Sequence, residues 1–294
     1  MSRTRDLLLT AIAPAIWGST YIVTTQWLPQ GYPLTVSTLR ALPAGLLLLA
    51  LVRQLPRSGV WWGRAFVLGA LNFSLFWAML FVAAYRLPGG VAATVGAVQP
   101  LIVIALARLL RGTPIRALSV AAALGGMAGV ALLLLRSNAA LDPIGVAAAL
   151  AGAVSMAAGT VLSRLWQPPV SPLTFTAWQL TAGGILLLPA ALVLEPVRPV
   201  LTTINILGLA YLGLIGAALT YIFWFRGLAR LEPAVVASLG FLSPVMAVIL
   251  GWVLLGQALS PLQLAGMALV LVSVWAGQRV QMAPAAPDRP LTPG

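Results

Sequence analysis

Residues 86–100 of the chain read RLPGGVAATVGAVQP, and residues 230–244 read RLEPAVVASLGFLSP. An Arg-Leu pair, a valine, an alanine, a glycine and a proline stand at the same places in both stretches. Proline removes the helical hydrogen bond to the carbonyl four residues earlier. That residue is a glycine in both stretches, so each predicts a bent helix. The recurrence indicates that the chain contains two copies of one unit.

Two earlier stretches recur in the same order. Pro33-Leu34-Thr35 returns as Pro172-Leu173-Thr174, and Trp17-Gly18-Ser19 aligns with Ala158-Gly159-Thr160. Gly45 and Gly184 follow the Pro-Leu-Thr stretches at equal spacing. Small drifts in the offset fall in loops, which tolerate insertions.

The composition is that of a membrane protein. Of the 294 residues, 61% are hydrophobic and 7% are charged, whereas a soluble domain carries roughly 25% charged residues. Apolar runs of about 20 residues, the length that crosses a bilayer, recur along the chain. We predict transmembrane helices over 7–28, 33–53, 64–85, 89–110, 115–135, 143–166, 172–194, 203–228, 233–255 and 261–280.

The predicted fold is all-α integral membrane, with ten transmembrane helices as two inverted five-helix repeats. Five helices are an odd number, so the second copy must cross the membrane in the opposite direction. Inverted repeats are a transporter architecture, with the substrate site near the midplane between the repeats. We expect a first repeat over 1–138, a second, inverted repeat over 139–281 and a disordered cytoplasmic tail over 282–294.

The arginines predict the orientation in the membrane. The net charge of +12 rests on 17 basic residues, all arginine, spread between the apolar runs. Nucleic acid requires a contiguous basic face, so we expect no nucleic-acid partner. With the N-terminus inside, thirteen arginines face the cytoplasm, and Arg86, Arg136 and Arg198 lie outside. This positive-inside bias predicts a multi-pass protein of the bacterial inner (plasma) membrane with both termini cytoplasmic.

Several kinds of chemistry are excluded by residue type. The chain has no cysteine and no histidine, which excludes disulfides, thiolate metal sites and imidazole catalysis. An enzyme would need a nucleophile–base pair or a metal site. We therefore expect no enzyme, no metal and no cofactor. The acidic residues all fall in tails, loops or helix ends; they are Asp6, Asp142, Glu195, Glu232 and Asp288.

The sequence resembles the drug/metabolite transporter superfamily, and within it the ten-helix EamA-type transporters. The resemblance is carried by Trp17-Gly18-Ser19, by Pro33 through Arg40, and by the Leu-x-x-x-Val-x-Ala-x-x-Gly-x-x-x-Pro element at 87–100 and 231–244. It covers about residues 7–280. At finer grain the chain is similar to the exporters of aromatic amino acids in this family. The second copy departs from the first at Ala158, opposite Trp17, and at Gln179, opposite Arg40.

The candidate substrate site consists of aromatic and polar residues within the predicted helices. Aromatic side chains on one helix face can stack on an aromatic substrate. Lipid or core packing is the more common role of any single one, and we expect two or three of the set to contact substrate. The candidate substrate-binding residues are Trp17, Tyr21, Arg40, Asn72, Phe73, Trp77, Thr94, Gln99, Thr160, Gln179, Tyr221, Trp224 and Ser243. The candidate hinges are Gly96, Pro100, Gly240 and Pro244, with a packing kink as the alternative.

Arg40 is the arginine that lies well inside an apolar run, about 10 Å from the outer end of its helix. Charges within the membrane usually face a cavity or a partner. One option is that Arg40 pairs with the carboxylate of an amino-acid substrate through bidentate hydrogen bonds. The other is that it binds helix carbonyls or extends to the outer surface, and the resemblance fits either role.

The resemblance implies export of a small molecule by alternating access, with the two halves rocking about a midplane cavity. Our first hypothesis is export of amino acids with aromatic or large apolar side chains by a monomer in membrane lipid. Proton-driven carriers usually hold a carboxylate or histidine within the membrane. None is predicted here, so we expect a facilitator, with Glu232 as the exception to test. The alternative is an exporter of other amino acids or drug-like compounds, with proton coupling.

Overall fold

The computed structural model describes residues 3–87, 89–134, 142–195, 197, 199–256 and 258–279. For residues 21, 84, 85 and 89–91 it describes the backbone alone. Within these ranges the chain is helical, with short connections and no strand. The predicted tail at 282–294 lies outside the described residues.

Ten helices in the described part are long and apolar enough to cross a membrane, as the sequence predicted. Most observed bounds lie within a few residues of the predicted ones. The helices are α1 (Arg3–Gly18 and Thr20–Trp27), α2 (Pro33–Val52), α3 (Gly59–Gly69, Ala70–Ser74 and Leu75–Arg86), α4 (Gly89–Gly96 and Gln99–Arg111), α5 (Ala117–Leu134), α6 (Pro143–Leu165), α7 (Pro172–Leu194), α8 (Thr203–Ala210, Tyr211–Leu219 and Thr220–Arg230), α9 (Pro233–Leu239 and Leu242–Leu255) and α10 (Pro261–Arg279).

Local chemistry explains where the helices start and stop. Proline occupies a first-turn position in α2, α6, α7 and α9, where its missing N–H costs no hydrogen bond. Both α4 and α9 end at a glycine in the left-handed region, Gly112 with φ 66° and Gly256 with φ 64°. Glycine adopts this conformation without the steric cost of a side chain. The two caps are repeat-related, because the sequence places them at equivalent positions.

Two π-helical segments interrupt α3 and α8 at corresponding places, Ala70–Ser74 and Tyr211–Leu219. A π-helical turn widens the helix and is often found at functional sites. No sequence pattern indicates these segments, and both helices were therefore predicted as continuous α-helices.

The described ends of the chain lie at the same end of the bundle. Arg3 donates a hydrogen bond to the backbone carbonyl of Gln278, which joins the start of α1 to the end of α10. We call this end the terminal side and the opposite end the far side. An even number of helices requires this arrangement. That the terminal side faces the cytoplasm stays a prediction.

The two sequence halves are interleaved. Helix α2 packs along α7, α5 along α10, α3 along α6 and α1 along α8, so each pair joins one helix from each half. Reciprocal end contacts accompany the α2–α7 pair. Glu195, after α7, accepts from the backbone N–H groups of Leu34 and Thr35 at 2.8 and 2.7 Å. Gln54, after α2, accepts from Trp178 Nε1 through its carbonyl at 2.6 Å.

Two ion pairs occupy equivalent positions at opposite ends of the bundle. On the far side, Arg86 at the end of α3 lies 3.4 Å from Asp142 before α6. The N–H of Gly145, together with Arg86, lowers the pKa of Asp142. On the terminal side, Arg230 at the end of α8 lies 3.4 Å from Asp6 in α1. Each pair therefore ties a helix of one half to a helix of the other.

The terminal-side pair is the more enclosed. Asp6 is buried and also lies 2.7 Å from Arg226, whereas Arg86 is exposed and Asp142 is half-buried. Nearby, Arg111 at the end of α4 pairs with Glu232 before α9 at 3.1 Å. The terminal-side segments of α4 and α9 pack against each other. Their far-side segments pack chiefly on other neighbours, α4 on α5 and α6, and α9 on α1.

Candidate functional site

Seven aromatic side chains from α1, α3, α7 and α8 form one contiguous group, which we call the aromatic cluster. Phe73 links Trp77 to the other rings of the cluster. The centroid of the Phe73 ring lies 4.5 Å from that of Tyr221 and 5.4 Å from that of Trp77. Trp17 lies 5.0 Å from both Tyr221 and Trp224. All members but Trp17, which is half-buried, are buried. The cluster comprises Trp17, Phe73, Trp77, Phe175, Tyr221, Trp224 and Phe225.

Arg40 lies within this group and is buried, with 9% of its surface exposed. Its guanidinium carbon lies 4.6 Å from the centroid of the Trp77 ring. Arg40 Nη2 donates to the Gly216 carbonyl, in the π-helical segment of α8, at 2.8 Å. Arg40 Nε finds no hydrogen-bond partner among the described residues. The structure therefore places Arg40 on a helix carbonyl, the second of the two options, and leaves one N–H available.

A second chain of hydrogen bonds reaches the same carbonyl. Trp17 Nε1 donates to Thr220 Oγ1 at 2.9 Å, and Thr220 Oγ1 donates to the Gly216 oxygen at 3.0 Å. Because a hydroxyl has one hydrogen, Thr220 Oγ1 shares it between the Ala217 oxygen, at 3.3 Å, and the Gly216 oxygen. Through it, α1 and α2 of the first half are joined to α8 of the second.

A polar group on α3, α6 and α7 forms a counterpart to this junction. Asn72 Nδ2, in the π-helical segment of α3, donates to Gln179 Oε1 at 2.8 Å and to Ser163 Oγ at 3.1 Å. Gln179 occupies the repeat position of Arg40. Each of these two residues therefore contacts the π-helical segment of the opposite half. Thr160 is also buried in α6, and its Oγ1 finds no hydrogen-bond partner among the described residues.

The remaining predicted site residues lie on α4, α9 and α1, away from the aromatic contacts. Gln99 lines a small cavity of about 40 Å³ with Gly96, Phe76 and Gly152. Thr94, Gln99 and Ser243 are half-buried. The side chain of Tyr21 lies outside the described residues.

Helices α4 and α9 are interrupted at the predicted hinges. Around the break in α4 the hydrogen bonds shorten to a three-residue spacing, as in Val98 N–H to Val95 O at 3.2 Å. In α9 the Gly240 N–H bonds to Ala237 O at 3.0 Å in the same way. Proline at 100 and 244 explains the common position, since neither residue can donate a helical hydrogen bond. Whether these breaks act as hinges stays a prediction.

Sequence reasoning missed several residues of this region. Phe175, whose ring lies 5.5 Å from that of Phe225, directly follows the repeated Pro-Leu-Thr stretch and was not among the predicted site residues. Thr220 and Ser163 are small polar residues beside predicted aromatic or charged ones. Both hydroxyls reach the site through packing of helices that are distant in the sequence, which no sequence pattern indicated.

Comparison with known proteins finds matches over nearly the whole chain. The family described as the EamA-like transporter family matches twice, over residues 5–135 and 143–276. Protein PecM of Dickeya dadantii is 46% identical over 260 residues, covering 88% of this chain and 87% of PecM. The inner membrane transporter YedA of Escherichia coli K12 is 29% identical over 264 residues, covering 88% of this chain and 86% of YedA.

A solved crystal structure has the same fold. It superimposes with a TM-score of 0.82 and 22% sequence identity, covering 96% of this chain and 100% of that one. At this level of identity the likeness establishes the arrangement of the helices, and it carries no information on substrate.

Proposed function

The chain belongs to the EamA-like transporter family, whose members are membrane transporters and not enzymes, and from that premise we propose that it exports small aromatic metabolites. Amino acids with aromatic or large apolar side chains are the first substrates to test. The observation that carries the proposal is the aromatic cluster with Arg40 inside it. Flat rings contribute stacking surface, and the guanidinium contributes a positive charge for a substrate carboxylate.

The proposed site lies where helices of both halves meet. Trp17 and Arg40 come from the first half, and Tyr221 and Trp224 come from the second. A substrate bound there would contact helices of both halves. The candidate residues on α4 and α9, Thr94, Gln99 and Ser243, would line the path to the cluster.

For the transport cycle we propose alternating access in which helix pairs move relative to one another. Because the halves are interleaved, rocking one entire half against the other would separate the packed α2–α7 and α5–α10 pairs. Movement of the far-side segments of α4 and α9 about Gly96–Pro100 and Gly240–Pro244 would leave those pairs intact. Opening of the terminal side would require the pairs of Asp6 with Arg226 and of Glu232 with Arg111 to separate.

The test is flux through the purified protein in liposomes, measured for aromatic, aliphatic and cationic compounds. We expect saturable flux of aromatic compounds, with aliphatic ones slower and cationic ones slowest. The proposal is wrong if a cationic compound is carried best, or if no aromatic compound is carried at all. The first of these outcomes would favour the drug-exporter alternative.

We expect a pH gradient alone to drive no accumulation of substrate. The acids of the described chain lie at the ends of the bundle, where each has a partner. A proton-driven carrier usually loads its proton on a group inside the membrane. The measurement is substrate uptake into liposomes with and without an imposed gradient, with an ionophore as control. Accumulation that the ionophore abolishes would favour the proton-coupled alternative, and Glu232→Gln and Asp6→Asn would then locate the coupling group.

For the cellular setting we propose a monomer in the bacterial inner membrane with both termini cytoplasmic. The chain has no cysteine, so single cysteines can be introduced without background. A cysteine at Arg5 and one at Arg279 should both be protected from an impermeant thiol reagent in intact spheroplasts. One at Arg86 should react. Labelling of Arg5 or Arg279 from outside would reverse the proposed orientation.

A further inference from the structure

We infer that this site selects aromatic carboxylates that lack an ammonium group over the corresponding zwitterionic amino acids. The inference rests on the proposed function, because it names the substrate class of the same site. Its basis is the inventory of charges and hydrogen-bonding atoms around the aromatic cluster.

The unpartnered polar atoms of the cluster are donors. Arg40 Nε and Trp224 Nε1 are both buried N–H groups with no hydrogen-bond partner among the described residues. Arg40 is 9% exposed and Trp224 is 1% exposed. Donors left unpaired in a buried site are costly unless a ligand accepts from them. A carboxylate has two acceptor oxygens and a negative charge, so it can satisfy an N–H donor and neutralise the guanidinium.

The carbonyl and hydroxyl oxygens that form hydrogen bonds next to Arg40 are already engaged. The Gly216 oxygen accepts from Arg40 and from Thr220, and Thr220 Oγ1 accepts from Trp17. The unpartnered oxygen of Asn72 faces α6, because a Cβ built on Gly159 would lie 2.1 Å from Asn72 Oδ1. That oxygen is therefore enclosed between α3 and α6 and does not face the rings.

The acids are engaged as well, at the two ends of the bundle. Asp6 pairs with Arg226, Glu232 with Arg111 and Asp142 with Arg86, and Glu195 caps the start of α2. Within the described residues, no acid is left to pair with a substrate ammonium group at the cluster.

The positive charge of Arg40 acts against a second positive charge. In an amino acid, the α-ammonium is attached to the carbon that carries the carboxylate. A carboxylate paired with Arg40 would therefore bring the ammonium close to the guanidinium, in surroundings that screen charge poorly. The Trp77 ring, one face of which already lies against Arg40, is less able to stabilise it by a cation–π contact.

The test compares ligands that differ in the ammonium group alone. The pairs are 3-phenylpropionate with phenylalanine, and indole-3-propionate with tryptophan. Phenethylamine serves as the ligand that has the amine and no carboxylate. Binding to the purified full chain is measured by calorimetry, which avoids the passive permeation of weak acids through liposomes.

We expect each acid to bind at least about tenfold more tightly than its amino acid, the factor that a lost or unpaired buried polar contact typically gives, and phenethylamine to bind weakest. In Arg40→Gln the preference for the acid should fall to near unity. Binding of the amino acid equal to or tighter than that of the acid would overturn the inference and leave the proposed function standing. Absence of binding and flux for all aromatic ligands would overturn both.

Discussion

Replacing Arg40 by alanine is expected to reduce transport of an aromatic carboxylate or amino acid at least about tenfold, since hydrogen bonds to charged groups contribute about 1.5–3 kcal/mol. Arg40→Lys should keep part of the activity, because the charge remains while the planar contact with Trp77 and the forked donors are lost. The measurement is initial flux in liposomes together with ligand binding to the same preparations.

Thermal unfolding separates a role in binding from a role in folding. Arg40 is a buried charge, and replacing such a charge by an uncharged side chain does not always destabilise a protein. If Arg40 binds substrate, Arg40→Ala should lose binding while the ligand-free Tm changes little. If it serves chiefly to hold Gly216, the Tm should fall together with flux. Arg57→Ala, which removes an exposed loop arginine, is the matched control and should change neither.

The number and course of the helices were predictable because they depend on local properties of the sequence. A stretch such as residues 245–255 is apolar over its whole length, and the lipid requires its backbone groups to be paired within the helix. Gly112 and Gly256 mark helix ends through backbone conformation alone. These features do not depend on which helices become neighbours.

The pairing of helices was not predictable from the repeat. The Arg-Leu stretch located Arg86 and Arg230 as equivalent residues, but their partners Asp142 and Asp6 stand at a different offset and gave no repeat signal. Equivalent contacts can be made by residues at unequal offsets when the loops before them differ in length. The structure was needed to show that the two arginines have the same role at opposite ends of the bundle.

The surroundings of Arg40 could be predicted only in part. Its burial follows from its position in an apolar run, and aromatic neighbours were expected from the many rings on α3 and α8. Its observed partner is the carbonyl of Gly216, in the π-helical segment of α8. No side-chain pattern in the sequence indicates which backbone carbonyl Arg40 will contact. Three-dimensional geometry was therefore needed to identify the hydrogen-bond partner of Arg40, and its role in binding substrate stays a prediction.

The close crossing of α2 and α7 gives the largest expected effect on stability. A Cβ built on Gly45 would lie 2.5 Å from the backbone nitrogen of Thr181, and one built on Gly184 would lie 2.7 Å from Cα of Leu42. Small residues allow membrane helices to approach this closely. Because the obstructing atoms are backbone, a side chain at either position must push the helices apart. This explains physically why glycine recurs at equivalent positions in the two repeats.

We therefore expect Gly45→Ala and Gly184→Ala each to lower the free energy of unfolding by about 1–3 kcal/mol, the usual cost of overpacking, with larger losses for Gly45→Leu. The measurement is thermal unfolding of the purified protein in one detergent. Gly63→Ala is the matched control: a Cβ there would meet nothing within 4 Å, and alanine favours a helix over glycine by about 1 kcal/mol. Its Tm should stay unchanged or rise. Equal Tm values for Gly45→Ala, Gly184→Ala and Gly63→Ala would contradict the close crossing, and with it the interleaved α2–α7 pair on which the proposed transport cycle depends.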